Sequence, residues 1–271
     1  MFTNSPRWST AISDLDAEGT PRLRGYSLHD LAEAENISFS DMLFLTATGE
    51  LPGAGQSRIL KMMLGVTVAQ GVSLTGVATR AAAAAGVPVQ AAICAGLMTI
   101  GDDVGGAGER LAREFQTALP LAQARSLPIE RRREFVADQA AALYTRLMAQ
   151  HGHVPGLGHP LHRNGDPRAS LLLRHAHLNG VEGPYVDLLR ALEARVAQAK
   201  GRVIPVNIDG ADAALLCELG MPWPYARSII MLSRMVGLSG IAAECALEGT
   251  GLPKGLLDFD YVGPAARALP A

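Results

Sequence analysis

Apolar residues recur at helical spacing along almost the whole chain, and the one run that alternates like a strand, Val203 to Ile208, is interrupted by Pro205. A proline removes a ladder donor, so this run is limited to a short extended entry into the helix that follows. Aromatic residues make up only 5% of the chain, while Ala, Leu and Met are abundant. Together these features predict an all-α protein. Ser38, with Asp41 three residues on, opens a helix that runs to Thr48 and stops at Gly49, with Pro52 just beyond. Pro128 to Gln150 places Phe135, Val136, Ala140, Leu143 and Leu147 on one face, with Arg131, Arg132 and Arg133 on a solvated side. Asp187 to Lys200 repeats the pattern. Tyr225 to Leu247 is apolar nearly all round and is expected to be a buried central helix.

At 271 residues the chain can form one large domain or two small ones without covalent staples. Its net charge of -2 argues against nucleic-acid binding, which needs a basic face. Any cationic site must therefore be local. Cys94, Cys217 and Cys245 are scattered and odd in number, and they read as small buried hydrophobes of a reducing compartment. The N-terminal run MFTNSPRWSTAISDLD carries acidic residues and lacks an apolar stretch, unlike a secretory or transit signal. Ala81 to Gly101 carries no charge and is long enough to span a bilayer, but its Ala and Gly content, with Pro88 and Gln90, fits a buried helix hairpin better. The expectation is a cytoplasmic protein with no membrane or nucleic-acid partner.

His151 to Arg168 breaks the helical pattern and reads as a loop between two helices, where function tends to sit. Four of the seven histidines (His151, His153, His159 and His162) fall in it. Their HxH and HxxH spacings can ligate zinc, yet neither Cys partners nor ordered flanking elements accompany them, so no metal is assigned. Gly156 and Gly158 permit unusual backbone angles and close approach of a ligand, leaving His159 to project into a cleft. A histidine in such a loop can equally be merely solvated.

The string Gly156-Leu157-Gly158-His159, then Pro160-Leu161-His162-Arg163, then Asp166-Pro167-Arg168 resembles the signature of citrate synthases and their relatives. Other segments match in order. Arg24-Gly25-Tyr26, Leu31, Ser38-Phe39 and Gly49-Glu50-Leu51-Pro52 are similar to that family's N-terminal segment. Gly101 to Ala107 resembles the glycine turn of its citryl-CoA-cleaving branch. Val206-Asn207-Ile208-Asp209-Gly210 is similar to its catalytic Asp segment, and Ser233-Arg234 with Gly237 to its late arginine helix. Most of the chain is covered, and in length it is similar to stand-alone citryl-CoA lyases and the C-terminal module of ATP-citrate lyase.

The resemblance implies a homodimer of two-domain subunits. A large helical domain would comprise residues 1–106 and 220–271, and a small one, 107–219, would carry His159 and Asp209. It also implies carbon–carbon bond chemistry on an acyl-CoA and a small carboxylic acid, passing through an enolate, with the coenzyme A thioester as substrate and no bound cofactor. In that scheme Asp209 is the enolising base, at the start of a helix from Gly210. His159 polarises the acceptor's keto oxygen or takes the hydroxyl proton in cleavage. Arg168 and Arg234 grip substrate carboxylates. Gly156 and Gly158 lie against the acyl-CoA, and Arg163 is a candidate phosphate contact. Two histidines of the pattern are replaced, by Val104 in the glycine turn and by Ala78. This motivates an alternative: a non-catalytic CoA- or metabolite-binding relative.

Overall fold

The computed structural model describes residues 9–120, 126, 128–249 and 262; the first part of the N-terminal run and the C-terminal stretch around Tyr261 lie outside them. Among the described residues the protein is helical apart from a small antiparallel sheet of β1 (Ser13–Leu15), β2 (Pro21–Leu23) and β3 (Tyr26–Ser27), in that order. The Asp16 carboxylate, accepting from the Glu18 and Thr20 amides, shapes the β1–β2 turn. Arg24 fastens the sheet by donating to the carbonyls of Ala11 and Thr46. The helices are α1 (Leu28–Glu33), α2 (Phe39–Thr48), α3 (Ala54–Val66), α4 (Leu74–Ala84), α5 (Val89–Leu97), α6 (Ala107–Ala118), α7 (Ile129–His151), α8 (Pro167–Leu178), α9 (Pro184–Lys200), α10 (Ile208–Glu218) and α11 (Tyr225–Glu248).

Helix ends follow local chemistry. Ser38 and Asp41 form a reciprocal capping box on α2, and Gly49 closes it in the left-handed conformation at φ 85°. Pro128 precedes α7 and Gly152 ends it at φ 71°. The expected face of α7 is the buried one: Val136, Ala140, Leu143 and Leu147 are all at most 3% exposed. Arg131 and Arg133 face solvent, whereas Arg132 is half-buried, 3.9 Å from Asp187.

By contacts the chain forms two compact units, Met1–Gln70 with Ile100–Met235, and Gly71–Thr99 with Val236–Ala271. Residues 107–219 lie inside the first unit. Its centre is α10, which packs against α3, α6, α8 and α9, while α7 covers α9. Every residue of α10 except Asp209 is buried. The central buried helix is therefore α10 and not the one beginning at Tyr225, whose Met231, Met235, Val236 and Leu247 are exposed. At the far end of α10 the buried Glu218 carboxylate accepts from the amides of Tyr185 (2.7 Å) and Val186 (2.9 Å), capping α9 from a distance.

In the second unit the uncharged stretch is two short helices, α4 and α5, too short to span a bilayer singly. They meet at Gly96, where a Cβ would overlap Thr79 and the Thr75 carbonyl. The later part of α11 buries Leu238, Ala242 and Cys245, and Glu244 pairs with Arg80 at 2.7 Å. Burial is incomplete here: Val72, Leu74, Met98 and Leu247 are exposed. Cys94 is exposed too, contrary to its expected burial, because it lies on the outer side of α5; Cys217 and Cys245 are buried, and all three are free.

Candidate active site

The loop after α7 and the entry to α10 are tied together by backbone. The Gly158 amide donates to the Pro205 carbonyl at 2.7 Å, the Asn207 amide to the Gly156 carbonyl at 3.0 Å, and the Asn207 side-chain amide to the Gly158 carbonyl at 2.6 Å. Leu157 and Val206 form an isolated antiparallel bridge. The extended entry read around Pro205 is thus real, and its partner is the glycine loop. Gly156 is buried with φ 83°, and a Cβ there would come within 2.7 Å of the Gly210 Cα. The close approach that Gly156 permits is to the backbone of α10, not to open space where a ligand would lie. Gly158, at φ 75°, is only partly buried and backs onto Ile204, while Arg163 is exposed.

Asn207, not Asp209, caps α10, accepting from the Gly210 amide at 3.1 Å. Asp209 therefore lies one step inside the helix, in its first turn, where the helix dipole favours a carboxylate. Its carboxylate makes no hydrogen bond or ion pair among the described residues. Burial pushes Asp209 above the usual carboxylate range, against the pull of Arg168. The start of α6, just past the glycine turn, reaches the Asp209 backbone: a Cβ on Gly108 would meet the Asp209 carbonyl at 3.2 Å. That turn is held by Arg227, which binds Asp102 at 2.8 Å and Glu109 at 2.6 Å, and Val104 is partly buried in it.

His159 presents a defined tautomer. Its Nδ1 accepts from the amides of Leu161 (3.1 Å) and His162 (3.2 Å), so Nε2 carries the proton and is the free donor. Burial, and then the neighbouring His162, hold its pKa below the ordinary histidine value, which keeps the ring neutral. The two rings lie 4.6 Å apart. One donor atom each from His159, His162 and Asp166 falls within 4.8 Å of the others, a spacing open to a metal ion. The lone pairs of Asp166 are already committed, however. It caps α8, accepts from Arg168 Nε (3.0 Å) and Nη2 (2.8 Å), and takes the Ile208 amide at 3.1 Å. The trio does not fit a metal centre.

Asp166 thereby orients Arg168, leaving Nη1 as the unengaged edge of the fork. Arg168 lies within electrostatic reach of Asp209 and Asp212. Arg234, on α11, is 7% exposed and makes no hydrogen bond or ion pair among the described residues. Burial and the charge of Arg168 weigh against its cation, and Asp209 supports it. His159, Arg168, Asp209 and Arg234 thus form one coupled cluster. Ala78 lies in the second unit, partly buried on α4. Sequence reasoning missed the orienting role of Asp166, the cap at Asn207 and the buried Asp212; the last is signalled only by an acid in an otherwise apolar run. Beneath the loop a cavity of about 190 Å³ is lined by Met148, Val154, Leu157, Val196 and Ile204, with Lys200 and Arg202 beside it.

A neutral imidazole donor, a half-buried, unengaged carboxylate and two guanidiniums on a helical scaffold define a site that can bind an anionic substrate and exchange a proton with it. Residues 54–248 match the family model described as citrate synthase, C-terminal domain. The chain belongs to the citrate synthase family. No curated protein matches it. Among solved structures, citryl-CoA lyase from Hydrogenobacter thermophilus is similar over 97% of both chains, at 26% identity and a TM-score of 0.81. ATP citrate lyase from Methanothrix soehngenii, solved with citrate and coenzyme A, matches 97% of this chain at 22% identity and a TM-score of 0.74; the match spans 43% of that longer chain. Citrate synthase from Thermoplasma acidophilum, solved with carboxymethyl coenzyme A and oxaloacetate, matches 86% of this chain and 59% of its own, at 19% identity and a TM-score of 0.64.

Proposed function

We propose that this protein makes or breaks a carbon–carbon bond next to an acyl-CoA thioester, with citryl-CoA, giving acetyl-CoA and oxaloacetate, as the nearest substrate. The observation that carries this reading is the presence in one cluster of an unengaged, desolvated Asp209 carboxylate and a His159 whose Nδ1 is filled, leaving Nε2 as the free donor. An α-hydrogen beside a thioester is very weakly acidic, and a desolvated carboxylate at a helix N-terminus is suited to remove or return it. A neutral Nε2–H is suited to donate to the acceptor's keto oxygen; since Nδ1 is filled by two amides, this role fits better than removal of a hydroxyl proton. Arg234, lacking a counterion, and the Nη1 edge of Arg168 would take the acid's carboxylates. Gly158 and Arg163 would meet the coenzyme, with Gly156 supporting from behind. The thioester serves as substrate, with no separate cofactor.

In this reading residues 107–219 close against the remainder to exclude water from the enolate. The exposed apolar side chains of the second unit support a homodimer, and the same reading takes the protein to be cytoplasmic. The alternative of a binding relative without turnover draws on Val104 and Ala78, which supply no donor where family members carry histidine.

The test is exchange of acyl-CoA α-hydrogens for deuterium with an unreactive acid analogue in the site, followed by mass spectrometry. The expected result is exchange in the native protein and none in Asp209→Asn, with acyl-CoA affinity unchanged. Exchange that survives in Asp209→Asn overturns the assignment of the base. Acyl-CoA binding without exchange or turnover in the native protein favours the binding-relative alternative.

A further inference from the structure

The chemistry above leaves one proton without an acceptor. In the cleavage direction the substrate hydroxyl becomes a carbonyl and must lose its proton to a base. His159 is not that base in this loop conformation: its Nδ1 lone pair is filled by the amides of Leu161 and His162, and Nε2 already carries a hydrogen. Asp166 has its lone pairs committed to Arg168 and the Ile208 amide. Arg168 and Arg234 are cations, and Asp209 serves the carbon end. His162 remains. It is half-buried, and its ring centroid lies 4.6 Å from that of His159, with the two planes tilted by 35°. Its ring nitrogens make no hydrogen bond or ion pair among the described residues. A neutral imidazole keeps one nitrogen with a free lone pair, so a proton entering this pair of rings has His162 as its acceptor. The charged groups facing the pair are Asp166 and Arg168. An oxygen of Asp166 lies within 4.8 Å of a nitrogen of each ring, which puts an anion near an imidazolium formed on His162. Burial opposes the same charge on His159.

We propose that His162 is a further catalytic residue: it takes the hydroxyl proton in cleavage, directly or through one water, while the Nε2–H of His159 holds the same oxygen. The proposal rests on the carbon–carbon lyase reading. The O–H bond breaks and its proton passes to the free nitrogen of His162. The electron pair left on oxygen forms the new carbonyl, and the carbon–carbon bond breaks with its own pair staying on the thioester side as an enolate. The Asp209 acid delivers its proton to the enolate carbon and becomes a carboxylate. One proton thus leaves oxygen for each that enters carbon. Both His162 and Asp209 are only half-buried, so solvent takes the proton from the imidazolium and returns one to the carboxylate before the next turnover.

The experiment compares the native protein with His162→Gln, which keeps a polar side chain and lacks a base. Single-turnover cleavage of citryl-CoA should slow by about 10²–10⁴-fold, the usual worth of a positioned base. The acid limb of the rate–pH profile, where that base becomes protonated, should flatten in the variant. Exchange of acyl-CoA α-hydrogens needs Asp209 and no hydroxyl base, so it should stay within about threefold of native. Added imidazole should restore part of the cleavage in His162→Gly. Cleavage in His162→Gln within about threefold of native overturns the proposal, as does loss of cleavage and exchange together without rescue by imidazole. Nitrogen-15 spectra of the imidazoles need no turnover. As pH falls His162 should take the proton while His159 keeps its neutral Nε2–H form, and citrate, which carries the hydroxyl, should shift the His162 ring signals. A native protein that shows this and does not cleave citryl-CoA counts against the lyase reading and leaves His162 standing as the proton acceptor. His159 taking the proton first overturns the proposal, whatever the turnover.

Discussion

Asp166 and Asp212 lie near the same helix end, both buried, and their environments drive them to opposite charge states. Burial pushes Asp166 up, but the side-chain and backbone bonds from Arg168, with the Ile208 amide, outweigh it and hold the carboxyl below its usual range. Its contribution to stability is therefore present above the unfolded value near 3.8 and is lost as pH falls through the folded value. Asp166→Ala removes the buried partner of Arg168 and orphans the Ile208 amide, so denaturant titration should show a loss of about 3–5 kcal/mol. Asp212 has the reverse sign: its folded pKa is raised, so its favourable contribution exists below about 3.8 and fades as pH rises. Asp212→Asn should thus raise the melting temperature at neutral pH, and the gain should vanish when the melt is repeated near pH 3.5, where both forms are neutral. Arg234→Lys keeps charge but loses the fork; calorimetric titration should show acid binding weakened by about 1.5–3 kcal/mol with CoA affinity unchanged. The family-like strings made His159, Arg168, Asp209 and Arg234 legible as candidates from the sequence, and the fold brings them into one cluster. Asp212 was not legible, because its meaning lies in the absence of partners, which only packing reveals.

Among elements, the pairing of the glycine loop with the entry to α10 fixes how acid and imidazole are carried. Gly156 and Gly210 touch backbone to backbone, and a Cβ on Gly210 would overlap the Gly156 carbonyl. Gly210→Ala must push the two segments apart, since no flexible side chain can yield. The expected result is a loss of about 1–3 kcal/mol in thermal or denaturant unfolding, with a fall in exchange activity in the folded fraction. The helix ends at Ser38, Gly49 and Pro128 could be read from sequence because caps are local chemistry. The sheet of residues 13–27 could not, since strands of two or three residues show no period. Nor could the centrality of α10: a helix of 11 residues bearing three acids looks less like a core than the longer apolar helix beginning at Tyr225.

Across the whole molecule, the all-helical class follows from periodicity, while the division into two units does not, because no linker marks it. The exposed Val72, Leu74, Met98 and Leu247 of the second unit are the surface expected to be covered in a homodimer. Static light scattering should give twice the chain mass of 28.5 kDa, and Met98→Glu with Leu247→Glu should return it to the single-chain value. The first unit is organised differently, around a helix fastened at both ends. The Ile208 amide is held by Asp166 and Glu218 reaches the amides of α9, while Gln116 binds the Met221 carbonyl at 2.7 Å and the Trp223 amide at 3.1 Å just past the end of α10. Such a helix has no frayed terminus from which to open. The amides of Ile208, Gly210, Tyr185 and Val186 should therefore exchange with heavy water only when the whole unit unfolds, long after those of α4 and α5. Asp209, the proposed base, would then ride on the part of the protein expected to come undone last.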